Sequence, residues 1–343
     1  MTRHAVVIGA TGQIGRPAVA ALARDGWQVT AASRGGGRDE HWPGDVRAVR
    51  LDREDDSALA EVIGDGCEVV VDMVAYGARH ARQLTGLAGR VGSAVVLSSM
   101  AVYEDDRGRG FDTEEEPGGF PGYPVPLRET QRTVRPGEKT NSTGKAALER
   151  ELLAAGDRLP ATLLRAGAVH GPHCRTPREL YFVKRNLDGR RRRVIAYGGT
   201  SRFHPVNVHN LAELIRLAAA RPGSRALNAC DPKAPTVSEI AAAIDEAMGA
   251  TPETVLVDGP PPAPGVGDTP WSVPNPVVCD MSAAARELDY RPVIDYAASL
   301  PETITWIEAH LAGRDWKDAY PKMYAGYGDL FDYEAETTWL AAR

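Results

Sequence analysis

Gly9-Ala10-Thr11-Gly12-Gln13-Ile14-Gly15 follows an apolar run, AVVI, and leads into PAVAALARDG (17–26), whose apolar residues have helical spacing. A strand that turns on glycines into a helix is a narrow structural choice. The glycines allow a tight turn and close backbone approach, and the N–H groups opening the helix form an anion site suited to a pyrophosphate. The spacing is GxxGxxG, one residue wider than GxGxxG, and its place within a β-α-β unit favours a dinucleotide site over a plain turn. Gly9, Thr11, Gly12, Gln13, Ile14 and Gly15 are therefore the expected cofactor-binding residues.

The alternation continues beyond this turn. QVTAAS (28–33), VRAVRLD (46–52), CEVVVDMVA (67–75) and SAVVLSSMAVY (93–103) read as strands, with helices at 57–66 and around 78–90. Val-rich strands between helices require burial on both faces, as in a parallel sheet. Right-handed crossovers then give an α/β fold of the Rossmann type, a doubly wound sheet. Residues 104–140 are acidic and rich in Pro and Gly, and are expected to form a long functional loop passing near the site, with Tyr123 close to the pocket. A helix at 143–155 and the strand ATLLRAGAV (161–169) resume the pattern. Further helices are expected near 177–187, 210–220, 236–248 and 297–312, with short strands at 225–230 and 254–257. The organisation read from this is a dinucleotide-binding domain over 1–170, with contributions from about 200–230, and a smaller C-terminal α/β substrate lobe over 171–312. The extension 313–343 carries Trp316, Tyr320, Tyr324, Tyr327, Tyr333 and Trp339. That is too aromatic for a disordered tail, so it is expected to wrap over the surface or a neighbouring subunit.

Composition narrows the partners. The chain has 343 residues, 43% apolar and 25% charged, an ordinary globular balance. No run approaches the about 18 uninterrupted apolar residues of a membrane span, and the start lacks the apolar core of a secretory signal. A cytoplasmic protein without a membrane partner is expected. A net charge of −6 disfavours nucleic acid, and the basic run Arg190 to Arg193 reads as a solvated turn. Cys67, Cys174, Cys230 and Cys279 form no CxxC, against both a zinc site and a disulfide scaffold. His170, His173 and Cys174 lack a fourth ligand of suitable spacing, so no metal is expected. The expected partner is a small-molecule substrate, and a homodimer stays open.

The second strand ends Ala32-Ser33-Arg34, with no acid until Asp39. An Asp there would accept from an adenosine ribose, whereas Arg34 stacks on adenine and pairs with a 2′-phosphate. NADP(H) is therefore expected over NAD(H).

With these motifs in order, the chain resembles the extended short-chain dehydrogenase/reductase superfamily of the NAD-dependent epimerase/dehydratase type. GATGQIG, Leu51-Asp52-Arg53, Val74-Ala75-Tyr76, LSSMAVY (97–103), TGKAALEREL, LLRAGAVHGP (163–172), VNVHNLAELI (206–215) and CDMSAAARELDYRP (279–292) carry the resemblance over residues 1–312, the last two as signatures of its C-terminal lobe. It implies that Asp52, with Arg53, meets the adenine end, that Ala75 and Ala168 line the cofactor, and that Lys145 bonds the nicotinamide ribose. Ser99 falls at the position of the family's active-site Ser/Thr. Arg202 resembles an arginine that holds substrate phosphate, with a register shift of about one residue. His204 lies near a substrate-binding segment.

The family pattern Tyr-x-x-x-Lys reads here as Asn141-Ser142-Thr143-Gly144-Lys145. An amide cannot titrate, and losing a general acid typically lowers a rate by about 10²–10⁴. Ser99, Asn141 and Lys145 remain the expected catalytic group, with oxyanion stabilisation and positioning intact. Substitutes for the missing phenol are sought in Tyr103, Tyr123, His170 and His204. The leading reading is an NADPH-dependent reductase of a small carbonyl compound. Its alternatives are a redox-neutral or non-redox epimerase, dehydratase, lyase or cyclase on the same scaffold, or a dinucleotide sensor.

Overall fold

The computed structural model describes residues 3–343. The first half of the chain runs β1 (His4–Ile8), α1 (Gly15–Arg24), β2 (Gln28–Ser33), β3 (Arg47–Arg50), α2 (Asp56–Ile63), β4 (Cys67–Asp72), α3 (Ala78–Thr85), β5 (Val91–Ser99), α4 (Asn141–Ala154) and β6 (Ala161–Ala166). It continues with β7 (Ala168–His170), α5 (Leu180–Leu187), β8 (Arg192–Ile195), β9 (Pro205–Asn207), α6 (Val208–Ala220), β10 (Arg225–Ala229), α7 (Val237–Met248) and β11 (Glu253–Leu256). The last helices are α8 (Ser282–Leu288), α9 (Tyr296–Leu311), α10 (Trp316–Ala319), α11 (Pro321–Tyr327) and α12 (Tyr333–Ala341).

Two compact units share these elements. The first holds the chain up to Gly167 together with Val208–Cys230 and Cys279–Val293; the second holds Ala168–Asn207, Asp231–Val278 and Ile294–Arg343. The first unit is built on a seven-stranded sheet in the order β10-β6-β5-β4-β1-β2-β3. Its pairings are all parallel, with Val6 facing Thr30 of β2 on one side and Val70 of β4 on the other. This is the Rossmann-type α/β sheet expected from the Val-rich runs. Val6, Ile8, Val70, Val96, Leu148 and Leu163 meet in one buried core. Each such side chain contributes about 1.5–3 kcal/mol by leaving water. Helix α1 packs on α6, and α3 on α4.

The expected strand 161–169 divides at Gly167. Gly167 N–H donates to Ala229 O of β10 in the first unit, whereas Ala168 N–H donates to His204 O and opens β7 in the second. The segment 279–292, expected in the substrate lobe, stands in the first unit. There α8 packs on β10 and α6, and Asn228 Nδ2 donates to Asp280 O at 3.1 Å.

The second unit carries two small parallel pairs, β8 with β11 and β7 with β9. The aromatic extension folds onto α5 of the same unit. Phe331 lies 4.9 Å from Trp316 and 6.4 Å from Tyr181, centroid to centroid. The run Arg190–Arg193 is a solvated turn only in part: Arg191 and Arg192 are exposed, but the run is also tied to other segments. Arg193 is buried against Asp245 at 2.5 Å, Arg190 approaches Glu336, and Arg192 pairs with Glu253. Carboxylates from three other segments thus pair with three of the four arginines. No helix among the described residues is long and apolar enough to cross a membrane.

Candidate active site

The glycine turn lies between β1 and α1. Gly9 has φ +84°, and a Cβ on it would stand 2.9 Å from Val74 Cγ1. A Cβ on Gly15 would collide with the carbonyl oxygens of Gly9 and Ala10. Gly12 N–H donates to Gly9 O at 2.9 Å, closing the turn. Thr11, Gln13 and Ile14 are half-buried around it, and α1 starts at Ile14 without a side-chain cap. Ser33 Oγ, at the end of β2, is buried without a hydrogen-bond partner. A side-chain-free cradle, an uncapped helix start and an orphaned hydroxyl fit a dinucleotide.

Arg34 follows Ser33 and is exposed. Asp39, the first acid after it, is buried and bonded to Arg16 and His41. Asp52 is exposed and caps Glu54 N–H. Arg53 does not meet this expectation: its guanidinium is buried, with Nε donating to Asp72 at 2.7 Å and the other nitrogens to Gln83 and His80 O. An arginine held this way positions the loop after β4 and has no group left for an adenine.

Asp72 is the residue that the sequence reading missed. Its second oxygen accepts from Val74 N–H at 3.0 Å and Ala75 N–H at 2.8 Å, fixing the turn on which Ala75 is buried. The signal was an acid ending the apolar run CEVVVD. Lys145 completes the frame from α4. Its Nζ donates to Ala75 O and Leu97 O, each at 2.7 Å. Burial pulls its pKa down to about 8, against the opposing pull of Asp72 and Glu149.

Ser99 ends β5, two residues beyond Leu97, and its Oγ accepts from Ala101 N–H at 3.1 Å. Asn141 opens α4 one turn before Lys145 and is exposed. Thr140 caps this helix, and Asp112 of the long loop accepts from Thr140 Oγ1 at 2.6 Å and Ser142 Oγ at 2.9 Å. The structure thus brings Ser99, Asn141 and Lys145 to the carboxyl ends of β4 and β5, where open parallel sheets place ligands.

The substitutes for the phenol do not hold. Tyr103, Tyr123, His170 and His204 are 0%, 7%, 1% and 3% exposed. Tyr103 donates to Asn228 Oδ1 at 2.6 Å beneath the Arg165 guanidinium, and Tyr123 donates to Tyr103 O at 2.9 Å. Burial pushes both phenols up, away from proton transfer near neutrality. Tyr123 pins the long loop to the end of β5, and Tyr103 ties that end to β10. Arg165 itself is clamped by Glu149, which also accepts from Ser98 Oγ at 2.6 Å.

In the second unit, His170 Nε2 bonds Asp231 at 2.9 Å, and Glu179 lies 3.8 Å from its Nδ1. These partners raise its pKa against desolvation, which favours the uncharged ring. His204 bonds Asp231 O at 2.9 Å. Arg202 is exposed and donates to Ala234 O. Ala168 is half-buried in β7. All four cysteines are buried.

Comparison with known proteins agrees with this fold. A model of the NAD dependent epimerase/dehydratase family matches residues 5–230. A search of curated protein sequences gave no match. Among solved structures, a UDP-galactose 4-epimerase is 20% identical, covering 90% of this chain and 99% of its own, with a TM-score of 0.64. WbmH from Bordetella bronchiseptica in complex with NAD+ is 18% identical over 90% and 99% of the two chains, with a TM-score of 0.67. MoeE5 in complex with UDP-glucose and NAD is 22% identical over 90% and 99%, with a TM-score of 0.64.

Proposed function

This chain belongs to the NAD dependent epimerase/dehydratase family, and we propose that it is a redox-neutral enzyme of the epimerase or dehydratase kind, acting on a hydroxylated small molecule. The observation that carries the reading is the Lys145 frame, an ammonium fixed by Ala75 O and Leu97 O beside Ser99. When bound, the nicotinamide supplies a hydride acceptor for a carbinol carbon and gives the hydride back. Gly9 to Gly15 would hold the pyrophosphate, Asp52 would meet the adenine end, and Lys145 would bond the ribose. Ser99 would donate a hydrogen bond to the substrate oxygen as that oxygen becomes a carbonyl. The family and its structural neighbours favour this return of the hydride over the net reduction expected from sequence.

The test is a panel of UDP-sugars, chosen because the neighbours include a UDP-galactose 4-epimerase and a UDP-glucose complex. An isomer or dehydrated product forming while absorbance at 340 nm stays flat is expected. Product forming in step with NADPH loss would restore the reductase.

NADP(H) is the proposed preference, because Arg34 is exposed and Asp39 is already engaged by Arg16. Arg34→Ala should narrow the affinity gap between NADP+ and NAD+ by about 1–3 kcal/mol, the range of a charge-assisted hydrogen bond. Equal affinities in the parent protein would remove this preference.

A further inference from the structure

The loop after β4 has a feature that neither packing nor the family pattern uses. Ala75 is 1% exposed, but the residues beside it, Val74 and Tyr76, are 46% and 44% exposed. Val74 and Tyr76 thus stand bare on either side of a buried alanine. The loop also has a direction. Val74 lies over the glycine cradle, 2.9 Å from the place of a Cβ on Gly9. Tyr76 lies over α4: its Cε1 is 3.1 Å and its Cδ1 3.5 Å from the place of a Cβ on Gly144.

Gly144 sits in the first turn of α4, between Asn141 and Lys145. On a helix, residues three and four apart share a face, so the Tyr76 ring occupies the face that carries Asn141 and adjoins Lys145. The phenol oxygen is two bonds beyond Cε1. A Cβ at 144 would press on the ring and on Tyr76 O, 3.3 Å away, so the glycine gives this tyrosine room. The Tyr76 backbone is held on every side. Its N–H donates to His80 Nδ1 at 2.8 Å, Asp72 fixes the two residues before it, and Lys145 bonds Ala75 O. His80 in turn bonds Glu54 at 2.9 Å. A rigid backbone thus carries a half-exposed phenol whose hydroxyl makes no hydrogen bond to the described residues.

We propose that Tyr76 is the catalytic acid–base, supplying from the β4 loop the phenol that Asn141 does not supply from α4. The inference rests on the hydride-returning function proposed above. As the carbinol C–H gives up its hydride to the oxidised nicotinamide, the substrate O–H bond breaks and its proton passes to the Tyr76 phenolate, leaving a carbonyl. On the return step the carbonyl carbon regains a hydride and the Tyr76 phenol gives the proton back to oxygen. Protons and electrons balance over the cycle.

Two readouts test this. The first is nitration of the whole protein by tetranitromethane, mapped by mass spectrometry with and without saturating NADP+. Tyr76 should be shielded several-fold, while Tyr324 and Tyr327, 44% and 41% exposed on the C-terminal extension, should be unaffected. Equal nitration of Tyr76 in both samples overturns the proposal. The second uses the best substrate in the UDP-sugar panel. Tyr76→Phe should lower kcat by about 10²–10⁴ with KM little changed, the loss typical of a removed acid–base group. Adding Asn141→Tyr to Tyr76→Phe should restore part of the rate. Full kcat in Tyr76→Phe overturns the proposal while leaving the proposed function standing. If the parent protein turns over no UDP-sugar, that reading of the substrate falls, and the nitration result decides Tyr76 alone.

Discussion

Lys145 places an ammonium where water is excluded, and its bonds to Ala75 O and Leu97 O at 2.7 Å do not fully offset the desolvation, which holds its pKa near about 8. The unfolded chain, with an ordinary lysine, binds more protons than the folded one between pH about 8 and about 10.4, so this group makes stability rise with pH across that window. Below it both states are charged, and the folded protein carries the whole penalty. Lys145→Met should therefore be more stable than the parent at pH 7 by an amount on the order of 1–3 kcal/mol, and should bind dinucleotide more weakly. The stability gap should close as pH approaches 10; urea titrations at pH 7 and pH 9.5 that show a constant gap would contradict the burial argument. Lys145 was legible in sequence because its spacing to Asn141 matches a known pattern. The direction of neighbouring side chains was not. Tyr103 looked like a site residue in LSSMAVY, yet its hydroxyl turns inward to Asn228 from a distant segment, and Arg53 turns inward to Asp72. One sequence shows which residues are close along the chain and says little about which partner claims their polar atoms.

At the level of elements, α4 must present Asn141 from its first turn, where amide groups lack helical partners, and Lys145 from just beyond it. Thr140 accepts from Thr143 N–H at 3.2 Å, Thr143 Oγ1 reciprocates to Thr140 N–H, and Asp112 ties both Thr140 and Ser142 to the long loop. Thr140→Ala should lower stability by about 0.5–2 kcal/mol, the usual loss for a cap. It should also speed amide exchange over residues 141–145 while β5 stays protected. Unchanged exchange there would mean that the loop alone holds the turn. The loop itself was only partly legible. Its Pro/Gly content announced irregular backbone, but Asp105 organises it by accepting from Arg107, Arg109 and Gly122 N–H groups, contacts without periodicity. The sheet was legible because a buried parallel strand has a compositional signature, as CEVVVD illustrates. β8 begins inside an arginine run and β9 has three residues, so neither offers such a pattern.

For the whole molecule, the chain alternates between its two units, and the aromatic extension belongs to the second. Sequence indicated that residues 313–343 would be ordered, from their aromatic content alone. It did not indicate the device that fastens them. Glu336 on α12 is fully buried; it accepts from Val194 N–H at 3.3 Å and stands 3.5 Å from Arg185 and 3.6 Å from Arg190. Arg185 also donates to Leu330 O at 2.8 Å and lies over the rings of Tyr181, Phe331 and Tyr333. One carboxylate therefore offsets two guanidinium groups beneath an aromatic cover. Glu336→Gln preserves the shape and an acceptor for Val194 N–H but leaves buried positive charge without its counter-ion. Breaking a buried pair in this way costs about 3–5 kcal/mol, and the loss should appear in the second unit. Limited proteolysis should cut Glu336→Gln within 313–343 well before the parent. Dinucleotide affinity should stay unchanged, since the glycine turn and Lys145 belong to the first unit. A variant as resistant as the parent would show that the aromatic contacts hold the extension without the ion pair.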